Sequence, residues 1–169
     1  MDIRLRRDGD GWTLDEVASI GGIPIDRPPD LPAQAAAVVD NPRITPADSA
    51  KWDIYSGKIS TRLLRLMTVL AERTPYAVTT LSSGHPYEVF GTNRQSNHTK
   101  GRAFDAYAFD DTNVIDDHEQ DSTARQQVEW LFDRADVAEL GSPWALDGYG
   151  GRSFTDIVHQ DHVHVGVRD

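Results

Sequence analysis

Near the C-terminus the stretch HVHVGV, residues 162–167, alternates without a break. Val163, Val165 and Val167 fall on one side, and His162, His164 and Gly166 on the other. Successive side chains of a strand point to opposite faces, so the pattern predicts a strand with one core face and one imidazole face. Such a strand needs a packed layer under its valines and partner strands at its flanks. The histidine face has two readings. Either it is a polar, solvated surface, or two imidazoles aimed at one spot form part of a metal site.

A metal site needs further ligands. The 169 residues include no cysteine, so disulfides and zinc–thiolate sites are excluded and only His, Asp or Glu remain as donors. The histidines are His85, His98, His118, His159, His162 and His164. Upstream, SNHTKGRAFDAYAFD spans residues 96–110. Its RAFDAYAF portion alternates as a strand, predicting Ala103, Asp105, Tyr107 and Phe109 on one face and Phe104, Ala106 and Ala108 on the other. His98 lies in the preceding loop, and Gly101 permits the chain to fold back over the strand. An unpaired Asp105 among alanines and aromatics is costly to bury, and a divalent cation relieves that cost. Two imidazoles and one carboxylate leave a fourth position open, as in catalytic rather than structural zinc. Hydrolysis also calls for a general base. Asp161 precedes His164 by three residues. An ideal strand would point the two apart, so Asp161 is expected just ahead of the regular strand, either as a turn cap or as that base.

The rest of the chain supplies the scaffold. Residues 1–45, with the turn signal DGDG and the Pro/Gly-rich GGIPIDRPPDLPAQ, read as an N-terminal arm wrapping the domain, with one short strand or hairpin. DGDG lacks the later acidic ligands of a calcium loop and is read as a plain turn. Residues 46–169 form the domain proper. Residues 45–75 read as helical, with Thr45 and Pro46 as cap and first turn and Leu63, Leu66, Met67 and Leu70 as an inward stripe. YAVTTLSS is a strand running into the turn SSGHP, and a long loop follows. DDTNVIDDHEQDS is an acidic, solvated loop. A second helix is capped by Ser122, with Val128, Leu131 and Phe132 inward. Residues 138–156 read as mostly turns. Helices and strands mix without a βαβ rhythm, which makes the class α+β.

Charge narrows the partners. Lys plus Arg number 17 against 27 Asp plus Glu, a net charge of −10. That argues against nucleic acid and acidic membrane surfaces, both of which need clustered cations. No stretch is apolar enough for a signal peptide or a membrane span. A cytoplasmic protein, or an extracellular or periplasmic one with its export signal trimmed, are both compatible with this, as is a phage lysin. A monomer is expected.

SNHTKGRAFD resembles the Ser-x-His-x-x-Gly-x-Ala-x-Asp motif of the zinc D-alanyl-D-alanine peptidases and their relatives, the LAS group, which includes the murein endopeptidases and the zinc domain of Hedgehog proteins. The match runs through Ser96, His98, Gly101, Ala103 and Asp105. HQDHVHV resembles the family's second motif, in which an acid lies three residues before the last zinc-binding histidine, here Asp161 and His164. His159, His162 and His164 together resemble the murein endopeptidase branch. The likeness covers about residues 75–169, with the helix at 56–74 fitting the fold's usual start, and leaves 1–45 unexplained. It implies a small antiparallel sheet with packed helices, and Zn2+ held by His98, Asp105 and His164. It further implies Asp161 as general base and proton donor, with Arg94, Ser96 and His162 toward substrate. Strand geometry alone would make His162 a ligand. The substrates implied are peptidoglycan stem peptides. Many relatives carry Ser-Gly-Tyr-Arg ahead of the zinc motif, the Arg holding substrate. This chain has SSGHP there, so Arg94 is the substitute and the choice between carboxypeptidase and endopeptidase stays open. A non-catalytic zinc-bearing binding domain and an intracellular dipeptidase are the competing readings.

Overall fold

The computed structural model describes residues 2–148 and 151–168. The sheet that carries the histidines is assembled around the two strands legible in the sequence. β5 (Ala103–Phe109) and β9 (Val163–Val167) pair antiparallel, with β4 (Tyr76–Thr80) on the far side of β5. The alternation of β9 holds: Val163, Val165 and Val167 belong to the buried core. His162 and Asp161 lie just ahead of the regular strand, in irregular backbone.

On the other side of β9 runs β7 (Val137–Gly141), antiparallel to it, and β8 (Ser153–Phe154) pairs parallel with β7. Residues 138–141 of β7 fall in the stretch read as turns, which is a correction. Five residues suffice for a strand when neighbours on both sides take its backbone groups, and Val137 and Leu140 join the core. Tyr149 and Gly150, also in that stretch, lie outside the described residues.

The sheet is completed by β3 (Ile44–Pro46), parallel to β4, and by the short β6 (Thr112–Asn113) against β5. The order is β3-β4-β5-β9-β7-β8. The sheet is therefore mixed, with antiparallel pairs at its centre and parallel ones at both ends. β3 takes up Thr45 and Pro46, which corrects their reading as a helix start. The continuous helix predicted over 45–75 is in fact two, α2 (Asp48–Tyr55) and α3 (Thr61–Arg73). Gly57 breaks them at φ +73°, and the Ser60 hydroxyl caps α3 by accepting from the Leu63 N–H at 3.2 Å. The stripe of Leu63, Leu66, Met67 and Leu70 is buried. α4 (Thr123–Phe132) has the expected cap, with Ser122 accepting from the Arg125 N–H at 3.1 Å.

Strand β5 departs from strict alternation. Val78 pairs with Ala106 and Ala77 with Ala108, leaving Tyr107 as an extra residue. The bulge reverses the facing beyond it, so Phe109 joins Phe104 and Ala106 in the core rather than sharing the face of Asp105. Before the bulge, Asp105 keeps the face opposite the core.

The N-terminal residues form an antiparallel hairpin of β1 (Asp2–Asp8) and β2 (Gly11–Ser19), closed at Gly9 with φ +60°. After it comes α1 (Ala33–Val39), whose Ala35 and Val38 enter the same core cluster as Ile44 of β3. No helix of the described residues is long and apolar enough to cross a membrane.

Candidate metal centre

β5 and β9 are in register so that Asp105 lies directly opposite His164. The Asp105 Oδ1 and His164 Nδ1 atoms are 3.0 Å apart. The third corner comes from the loop before β5. His98 Nε2 is 3.0 Å from His164 Nδ1 and 3.0 Å from Asp105 Oδ1. Three donor atoms from a loop and two strands thus form a nearly equilateral triangle, and all three residues are buried.

The loop holds His98 there through its own backbone. Gly101 adopts φ +68°, its N–H donates to the His98 carbonyl at 2.8 Å, and a Cβ at this position would collide with the Lys58 carbonyl. Ser60 in turn donates its N–H to the Gly101 carbonyl at 2.9 Å, which ties the loop to the cap of α3. Ser96 is buried, and its hydroxyl accepts from the His98 N–H at 3.2 Å. In this geometry Ser96 positions His98.

Hydrogen bonds on the outer nitrogens fix which ring atoms carry protons. His98 Nδ1 lies 2.5 Å from the Leu81 carbonyl, which can only accept, so the proton sits on Nδ1 and Nε2 presents a lone pair. His164 Nε2 lies 3.1 Å from Glu139 Oε1 on β7, which places its proton outward and its Nδ1 lone pair inward. With Asp105 ionised, three lone pairs then face one another at 3.0 Å with no proton between them. They repel unless a cation or an added proton occupies the middle. Tetrahedral bonds of about 2.0–2.1 Å set ligand atoms about 3.3 Å apart, close to this spacing. The donor set therefore fits a divalent cation, and His98, Asp105 and His164 could hold a metal ion.

Without a cation, a proton takes its place. Burial opposes a charge on His164, but hydrogen bonds to Asp105 and Glu139 more than offset it and raise its pKa to about 9. Burial likewise opposes ionisation of Asp105, yet His98, His164 and His162 hold it well below the usual carboxylate range. Glu139 is brought down to about 2 against its own desolvation by His164, Asn97 and Arg94.

Several of these supports escaped the sequence reading. Glu139 sat in the missed strand β7, and Asn97 donates to its Oε1 at 2.6 Å. Gly166 faces Glu139 across the β7–β9 pair, and a Cβ there would come within 2.6 Å of the Glu139 Cγ. Asp53 of α2 is buried and accepts from the Ser82 and Ser83 N–H groups at 2.9 and 2.6 Å, pinning the turn beside Leu81. Only the short apolar spacing of Val137 and Leu140 hinted at β7, and nothing local marks Asp53.

The remaining predicted residues surround a cleft of about 800 Å³ above the triangle. Asp161 is exposed and accepts from His162 Nδ1 at 2.7 Å. His162 Nε2 points toward Asp105 Oδ1 at 3.9 Å, too far for a hydrogen bond. His162 is thus beside the triangle rather than a corner of it. His159 is held at Nδ1 by Asp156 at 2.7 Å and packs edge-on against Phe154. Arg94 reaches Glu139 Oε2 at 3.5 Å from the cleft's side. His85 stacks on His98 with ring centroids 4.3 Å apart. His118 lies apart, bonded to the Gln160 carbonyl. Trp144 packs in the core.

In comparisons with known proteins, no family model, curated protein or solved structure matches this chain.

Proposed function

We propose that this protein is a zinc-dependent peptidase of the LAS type, hydrolysing peptide bonds in peptidoglycan stem peptides. The observation that carries the reading is the triangle of His98, Asp105 and His164, its lone pairs turned inward by Leu81 and Glu139 beneath an open cleft. Two neutral imidazoles and one carboxylate are the donor set of catalytic zinc, with a fourth position left for water. The finer fold assignment belongs to the same proposal: the central antiparallel strands and packed helices are read as a Hedgehog/D,D-peptidase-like domain.

When bound, the metal supplies Lewis acidity that polarises a scissile carbonyl and acidifies a water. The chain's own groups do the rest. Asp161 accepts the proton of the attacking water and passes it to the leaving amine. His162 orients Asp161 through its Nδ1–H, and its other edge faces the site. Arg94 sits where it can meet a substrate carboxylate, though it must share its charge with Glu139. Glu139 and the Leu81 carbonyl hold the ligand tautomers throughout.

The deciding experiment incubates the protein with purified muropeptides, with and without a chelator, and identifies products by mass. Chelator-sensitive loss of an amino acid or scission of a cross-link supports the reading. Intact muropeptides at full zinc occupancy contradict it.

A further inference from the structure

The N-terminal hairpin takes no part in the sheet: β1 and β2 pair only with each other among the described residues. A lone two-stranded ribbon is marginal in water and is held by what it touches. Here it is fastened to the turn that borders the metal centre. The Ser19 hydroxyl donates to the Gly84 carbonyl, next to His85. Gly22 approaches so close to Ser83 that a Cβ would lie 2.8 Å from its Oγ. The Arg4 guanidinium lies over the Phe90 ring at 5.3 Å.

These contacts set Ile3 and Arg4 into the wall of the same cleft that Asp105 and His164 line. Ile3, Val89, Phe90, Ile157 and Val158 also line this cleft. Four of these five are large hydrophobics left exposed, with Ile157 at 89%. Scattered exposed apolar residues need no explanation, but several that line one cleft mark a binding surface. Arg4, the charged residue that the hairpin brings to the cleft, pairs with Glu16 at 2.9 Å. One cleft is thus lined both by residues of the metal centre and by exposed apolar side chains.

We propose that the hairpin is the outer wall of the cleft and that, with Phe90 and Ile157, it selects peptides carrying an apolar side chain next to the bond held over the metal centre. This inference rests on the proposed peptidase reading. Ile3 and Phe90 make van der Waals contact with that side chain, and the His98–Asp105–His164 floor is indifferent to it.

The test measures fluorescence anisotropy of labelled tetrapeptides Ala-Leu-Ala-Ala and Ala-Asp-Ala-Ala with the zinc-loaded protein. The wild type is expected to bind the leucine peptide about tenfold more tightly, the scale of burying one branched side chain. Ile3→Asn with Phe90→Ser is expected to bring the two within about twofold at unchanged zinc content. Trp12→Ser, on the same hairpin but outside the cleft wall, keeps the wild-type preference and controls for a disturbed hairpin. Equal binding of both peptides by the wild type, or a preference surviving in the double variant, overturns the proposal. Failure of the peptidase reading shows separately, as intact muropeptides at full zinc occupancy with the binding preference retained.

Discussion

Asp105 and His164 face each other directly across the β5–β9 pair, their donor atoms 3.0 Å apart. Two adjacent, directly paired strands thus supply two of the three converging atoms. Only His98 comes from a loop, and that loop is locked by Gly101. Rigid elements hold a site more closely than loops do, and the arrangement spends its one flexible segment where a glycine can fix it.

Glu139 should matter nearly as much as a ligand. Glu139→Gln keeps the shape but removes the anion that holds the proton on His164 Nε2. We expect zinc affinity to fall by about 10–100-fold with the fold intact. A competition titration against a chromophoric chelator reads this directly, and an unchanged affinity would show that Glu139 does not set the tautomer.

The chelated protein should lose stability in mild alkali. His164 has a folded pKa of about 9, above the unfolded value of about 6.5. A raised pKa gives stability that is fully present below about 6.5 and is lost as pH rises through about 9. Denaturant midpoints of the metal-free protein should therefore drop between pH 7 and 9. Zinc must displace that proton, so its affinity should rise over the same window. Flat midpoints and pH-independent zinc affinity would contradict the protonated His164.

Gly101→Ala should destabilise the protein by more than about 2 kcal/mol, because it combines left-handed strain with a clash against the Lys58 carbonyl. Thermal unfolding measures the loss. A variant within about 0.5 kcal/mol of wild type would mean that the loop re-forms elsewhere.

Much of the site was legible because its chemistry lies in two short stretches. The alternation of Val163 to Val167 and the His98–Asp105 spacing carry their own periodicity and turn signals. The helix stripe from Leu63 to Leu70 and the Ser122 cap were legible for the same reason. What escaped depends on tertiary context. Glu139 reads as a surface acid until β7 is paired, and Asp53 as an ordinary helix residue until Ser82 and Ser83 arrive from the turn after β4. The bulge at Tyr107 has no local signature, so Phe109 was placed on the wrong face. The break between α2 and α3 was signalled by Gly57 and Ser60, but the surrounding helical propensity masked it.

The central claim is that His98 holds a metal while Asp161 does chemistry over it. The most direct measurement is zinc content alongside muropeptide cleavage for the wild type, His98→Ala and Asp161→Ala. The account predicts that Asp161→Ala keeps about one zinc and loses cleavage by at least about 100-fold, whereas His98→Ala loses both. Full zinc retention by His98→Ala, or undiminished cleavage by Asp161→Ala, would contradict it.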